Sequence, residues 1–258
     1  MTEWNAQGYA RISALQQAMA AETLALLDLK DAKDVLDLGC GNGKITAEIA
    51  ARLPEGRVVG VDASADMIGF AKTSFGLPTY SNLKFEVCDI RRIAFRDEFD
   101  LVVSFNALHW IPEQEEALNA IHAALKSRGR AQLRLVPKGQ RKSLEDVLEE
   151  TRKSSRWCMY YEGYNDPYLH LTADQYAALA TQCGLQVISV DVKDKSWDFG
   201  SHDGFFAFGS VTFVEWTRRL PEEARPEFIQ DVLDRYSAVA GDDHTFRFYQ
   251  MDVRLAKG

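Results

Sequence analysis

The sequence predicts an α/β fold in which a mostly parallel sheet carries helices on both faces. Three observations support this. Val35-Leu36-Asp37-Leu38 is an apolar run that stops in glycines at 39, 41 and 43 and passes straight into Lys44–Ala50, which reads as strand, tight turn and helix. Further short apolar runs, at 57–62, 83–87 and 99–104, alternate with segments of helical spacing. The chemically unusual residues each follow a strand end, which is where such sheets bind ligands.

Taken in order, 9–29 places Ile12, Leu15, Met19, Leu24 and Leu27 at helical spacing and predicts one helix or two in line. After the first strand and the glycine turn, a helix runs to Leu53 and ends at Pro54 and Gly56. Arg57–Asp62 is a second buried strand ending in an acid, and Ser64 caps a helix containing Met67, Ile68 and Ala71. Leu83–Val87 is the third strand and leads into Cys88-Asp89-Ile90; Phe99–Ser104 is the fourth and leads into Leu108-His109-Trp110. Pro112 opens a helix to Leu125, and 129–136 is the fifth strand. Beyond Pro137 the reading is a charged helix at 143–155, an aromatic-rich irregular stretch at 157–171 and a helix at 173–183 closed by Gly184. A strand follows at 185–192, then a helical segment at 204–239, then a final strand at 245–255. Residues 138–172 and 204–239 read as cap insertions and 1–30 as a helical cover, all within one domain of 258 residues.

The apolar fraction of 46% and charged fraction of 26% are those of an ordinary globular chain, so disorder is not expected. A net charge of −8 argues against a nucleic-acid partner, which needs a concentrated basic face. No run approaches the roughly 20 apolar residues of a membrane helix, so membrane insertion is not expected. Cys40, Cys88, Cys158 and Cys183 are widely spaced, with no Cys-x-x-Cys pair and no metal-ligand spacing. Reduced thiols in a cytoplasmic protein, monomer or homodimer, are the expectation.

The glycines run Gly-x-Gly-x-Gly, and Lys44 stands where the dinucleotide fingerprint needs a glycine. Together with Asp62, the Cys88-Asp89-Ile90 corner and the strand ending at Ser104, residues 30 to 136 resemble the class I S-adenosylmethionine-dependent methyltransferases. That resemblance implies a Rossmann-like seven-stranded sheet with an antiparallel last strand. It also implies a site for S-adenosyl-L-methionine and its product S-adenosyl-L-homocysteine, with no metal. On this reading Gly39, Cys40 and Gly41 line the methionine part, Asp37 takes the ammonium, and Asp62 with Ala63 meets the ribose. Asp89 accepts from the adenine amino group, Met67 and Ile90 sandwich the ring, and Ser104 is a further cofactor-binding residue. The plainer readings are a solvated strand-end acid for Asp62, a helix cap for Asp89, and for Cys40 a thiol packed beneath the turn.

Tyr9-x-x-x-Ser13-x-x-Gln16 and Leu108-His109-Trp110-Ile111 look like segments of carboxyl methyltransferases of the trans-aconitate and juvenile-hormone-acid type. The resemblance implies that Gln16 and Trp110 hold an acceptor carboxylate, that Tyr9 closes over the cofactor, and that His109 donates to the acceptor. The favoured expectation is O-methylation of a small carboxylic acid, which needs donors and no base. Alternatives are hydroxyl or amine methylation with His109 as base, a non-catalytic cofactor-binding regulator and, more distantly, a dehydrogenase. Trp157, Tyr160, Tyr161, Tyr164 and Tyr168 suit a planar or apolar acceptor body, although a private core is the plainer reading. Arg152 and Arg156 suit a second acidic group, although solvated exposure is the plainer reading.

Overall fold

The computed structural model describes residues 13–77 and 79–258, and the described chain forms two compact units. One takes the residues up to Pro137 with 168–192 and 251–258; the other takes 138–167 and 193–250. The expected insertions at 138–172 and 204–239 fall mainly in the second unit, while Tyr168–Thr172 belongs to the first.

In the first unit a helix α1 (Ser13–Leu26) precedes β1 (Asp34–Leu38), α2 (Lys44–Arg52), β2 (Arg57–Asp62), α3 (Ala65–Phe75) and β3 (Leu83–Val87). Then come β4 (Phe99–Phe105), α4 (Gln114–Ala124), β5 (Leu125–Leu135) and, later in the chain, α6 (Ala173–Gln182). The strands β6 (Leu185–Asp198) and β7 (Thr245–Lys257) complete a seven-stranded sheet of order β3-β2-β1-β4-β5-β7-β6. The pairs from β3 through β5 are parallel, whereas β7 runs antiparallel to β5, with Arg130 opposite Ala256 and Leu135 opposite Met251.

Local chemistry explains the element ends. The Ser64 hydroxyl accepts the Met67 N–H at the start of α3, and Thr172 forms a capping box with Gln175 at the start of α6. Apolar strand residues are buried on both faces, as a parallel sheet under two helical layers requires: Val35, Leu36, Leu38, Val58 and Val61 are fully buried. One face packs Leu36 and Leu38 with α4 and α6; the other packs Val35 and Val58 with α2 and α3.

The second unit holds α5 (Leu144–Arg152), α7 (His202–Thr212), α8 (Val214–Thr217) and α9 (Arg225–Ala240). Its aromatics make their own core. Trp157 meets Phe228 edge-on at 5.2 Å and donates its indole N–H to Asp231, and the Tyr161 hydroxyl donates to the Trp216 carbonyl. Trp157 and Tyr161 are therefore core residues rather than a ligand wall. The expectation of a solvated Arg152 is corrected: it is 6% exposed and bridges Glu149 and Asp166. Arg156 in turn holds Glu227. The Arg152 guanidinium is thus committed to carboxylates of the protein, whereas Arg156 stays exposed in a surface ion pair, as the plainer reading expects.

Candidate active site

The turn after β1 is built by three glycines at positive φ that do different jobs. A Cβ on Gly39 (φ 71°) would lie 2.2 Å from the Ala107 Cβ, and one on Gly43 (φ 79°) would lie 2.7 Å from Ala71 and the Phe85 ring. Those two let the turn close on its neighbours. Around a Cβ on Gly41 (φ 54°) there is nothing within 4 Å, so the middle glycine presents bare backbone to open space. The Gly39 and Cys40 N–H groups both donate to the Val61 carbonyl, which ties the turn to β2.

Asp62 ends β2 beside this turn. Its Oδ2 accepts the Gly41 N–H and its Oδ1 accepts the Ser64 N–H, both at 2.9 Å. Two backbone donors orient the carboxylate, and a carboxylate's two oxygens suit the two hydroxyls of a vicinal diol. Ala63 follows at the half-buried corner.

A cleft of about 310 Å³ runs along the turn, lined by Gln16, Thr23, Asp37, Gly39, Cys40 and Gly41 together with Lys44 and Asn106. Asp37 is 2% exposed, and its Oδ2 accepts the Thr46 hydroxyl at 2.7 Å. Its Oδ1 takes no hydrogen bond among the described residues. Burial, opposed by the Thr46 bond and reinforced by Asp62, pushes the carboxyl up to about 7. Such a group is short of a cation. Cys40 packs under the turn, its thiol pushed well up by burial and by the two acids, so it stays neutral.

Asp89 follows β3, caps the short turn at 90–92 and is clamped by Arg91. Its carboxylate accepts the Arg91 N–H and is gripped by the Arg91 guanidinium through both oxygens, at 2.6 to 3.2 Å, which holds it below the usual carboxylate range. Arg91 also reaches Glu113. An adenine amino group would share Asp89 with this arginine. Ile90 and Met67 are buried, and a Cβ on Gly39 would touch Ile90. Ser104 departs from expectation: fully buried, its hydroxyl donates to the Leu38 carbonyl and so braces β1 against β4 rather than reaching the cleft. Tyr9 lies outside the described residues.

His109 and Trp110 lie in a short turn after β4. The Gln114 side chain donates to the carbonyls of Leu108 and Ile111 on either side, fixing the turn. The rings of His109, Trp110, Tyr168 and His170 form one cluster, with neighbouring centroids 4.6 to 6.4 Å apart. His109 is 3% exposed, and its Nδ1 accepts the Val136 N–H at 3.4 Å. Burial, with His170 beside it, holds the imidazole well below its ordinary value of 6.5. The ring is neutral, its Nδ1 lone pair is spent, and its proton sits on Nε2. Gln16 lines the cleft of the glycine turn, whereas His109 and Trp110 belong to this separate ring cluster.

The turn and its cleft suit a zwitterionic, ribose-bearing ligand: bare backbone at Gly41 and the buried acid Asp37 line the cleft, and Asp62 stands next to it, bonded to the Gly41 N–H. Among the described residues no group of three or more His, Cys, Asp or Glu side chains is arranged to hold a metal. The family model described as a methyltransferase domain matches residues 29–184. The chain belongs to the class I S-adenosylmethionine-dependent methyltransferases.

The methyltransferase is 26% identical over 235 residues to a trans-aconitate 2-methyltransferase of Enterobacter sp., spanning 89% of this chain and 87% of that one. It is 33% identical over 127 residues to a malonyl-[acyl-carrier protein] O-methyltransferase of Acetivibrio thermocellus, spanning 48% and 44% of the two. In fold it is similar to an O-methyltransferase of Brevibacillus brevis solved with S-adenosyl-L-homocysteine, at a TM-score of 0.60 and 15% identity over 97% of this chain and 75% of that one. Three contributors were missed in the sequence: Thr23, Asn106 and Arg91. Only Asn106 left a signal, as an asparagine at a strand end, and its φ is 59°. Lys44, read as a surface residue, is exposed but lines the mouth of the cleft.

Proposed function

We propose that the methyltransferase transfers a methyl group to a carboxylate oxygen of a small acid. The observation that supports this reading is the burial of His109 with its Nδ1 accepting the Val136 N–H, which assigns the ring proton to Nε2. A neutral imidazole whose free lone pair already accepts a backbone N–H offers no base to a hydroxyl or an amine. What it offers is a donor, through Nε2–H. A carboxylate is ionised at neutral pH, needs no proton removed, and is held by donors. The relatives named for trans-aconitate and malonyl-[acyl-carrier protein] methylation support the same acceptor atom.

S-adenosylmethionine, when bound, supplies a methyl group on a sulfonium centre. The chain's part is to bind and align. In this reading Asp62 accepts the ribose hydroxyls, Asp89 the adenine amino group, and Asp37 the ammonium; Met67 and Ile90 pack by the adenine. Gly39, Cys40 and Gly41 carry the methionine end, and Tyr9, outside the described residues, is the proposed cover. Gln16 at the cleft and, in the separate ring cluster, Trp110 and His109 are the N–H donors proposed for the acceptor, and the half-buried rings around His109 limit the water that reaches it.

The test is incubation with methyl-labelled cofactor and a panel of acids, trans-aconitate first, beside phenols and amines. Label in a product that mild alkali hydrolyses identifies a methyl ester. Alkali-stable label on a phenol or amine would overturn the assignment. His109→Gln, which keeps a donor, should retain turnover within about tenfold, since it removes no base. A loss of about a thousandfold or more would restore the base reading.

A further inference from the structure

We propose that Thr23, held by Arg134, is the donor that takes the carboxylate of the methyl donor's amino-acid end, with Asp37 taking the ammonium in the same cleft. The inference rests on the reading that S-adenosylmethionine lies along the glycine turn.

Thr23 is 2% exposed, sits in α1 and lines the cleft with Asp37 and Gly39–Asn42. A threonine inside a helix ordinarily returns its proton to the carbonyl four residues back. Thr73, Thr151, Thr181, Thr212 and Thr217 all do so here. The two departures are Thr46, whose proton goes to Asp37, and Thr23. The Thr23 oxygen accepts the Arg134 Nη1–H at 2.9 Å, and its own proton reaches no acceptor among the described residues. A buried hydroxyl that accepts from a guanidinium and lines a cleft is a preset donor.

Arg134 is itself 1% exposed. Its Nε and Nη2 grip Asp252 at 2.7 and 3.3 Å, and Glu22 lies 3.6 Å from Nη1. These acids offset its charge, so Arg134 acts by fixing and polarising the Thr23 hydroxyl rather than as a bare cation. Donors in a chain strengthen one another in a low dielectric. A cation-hungry acid and a preset donor in one cleft ask for a ligand with an ammonium and a carboxylate together. An α-amino-acid terminus carries both on one carbon.

The experiment is titration calorimetry at about pH 8 with S-adenosylmethionine and with decarboxylated S-adenosylmethionine, which keeps the amine and lacks the carboxylate. Thr23→Val, close in shape, should weaken S-adenosylmethionine by about tenfold to a hundredfold, as expected for losing a hydrogen bond to a charged group. It should leave the decarboxylated ligand unchanged, which also reports that the variant is folded. Thr23→Ser, which keeps the hydroxyl, should bind both ligands as the wild type does. Equal weakening of both ligands, or of neither, would overturn the assignment. So would an unchanged affinity for S-adenosylmethionine with a raised KM for the acid acceptor, since that moves the hydroxyl to the acceptor. A wild-type protein that binds neither ligand would instead sink the cofactor reading of the glycine turn itself.

Discussion

Asp37 should make cofactor binding proton-linked. Its carboxyl is pushed up to about 7 in the free protein by burial, relieved only by the Thr46 hydroxyl. An ammonium beside Asp37 favours the ionised form, so binding below that value must expel a proton. If the complex holds Asp37 ionised throughout, the apparent affinity should fall about tenfold between pH 8 and pH 6, with roughly half a proton released per cofactor at pH 7. Cys40, the thiol facing Asp37, is pushed well up and does not titrate in this range. The assay is calorimetry in two buffers of different ionisation enthalpy, which separates proton release from binding heat. Asp37→Asn should bind more weakly and lose the pH dependence. An affinity flat from pH 6 to 8, or the same profile in Asp37→Asn, would refute the assignment of Asp37 to the ammonium. The shift acts on folding in the opposite sense. The folded state holds this proton up to about 7 while the unfolded chain releases it near 3.8, so Asp37 stabilises the free protein at low pH, and that contribution is lost as pH rises through 7.

Two further predictions concern stability and the turn. Gly39→Ala places a Cβ 2.2 Å from that of Ala107 at a positive φ, and should lower thermal stability sharply, whereas Gly41→Ala meets no atom and should cost only about 1–2 kcal/mol of strain while weakening the cofactor; equal melting temperatures for the two would contradict the division of labour among the glycines. Arg152→Ala leaves Glu149, 5% exposed, with only Lys153 and the Trp216 indole N–H, and should cost about 1.5–3 kcal/mol in urea unfolding, and a change below about 1 kcal/mol would show that the pair is solvated after all.

What could be read from the residues alone was everything that depends on short-range pattern. Runs such as Leu36–Leu38 and Val58–Val61 alternate with helical spacing, and glycines and caps punctuate them, so strand order along the chain and the glycine turn were legible at 39–43. The placement of Asp62 at the end of β2 and of Asp89 just past β3 was legible for the same reason, since a strand end in a parallel sheet is a place that sequence position defines. The structure decided what depends on residues far apart in the chain meeting. Arg134 reaches Thr23 across 111 positions and turns an ordinary helical threonine into a donor. His109 owes its tautomer to the backbone of Val136, and Arg152 its burial to Glu149 and Asp166. Ser104, placed at the cofactor by its strand-end position, spends its hydroxyl on Leu38 in the neighbouring strand. Propensity and periodicity act over a few residues, so they determine elements. The protonation and hydrogen-bond state of a buried side chain is set by whatever packs against it, and only the tertiary fold specifies that.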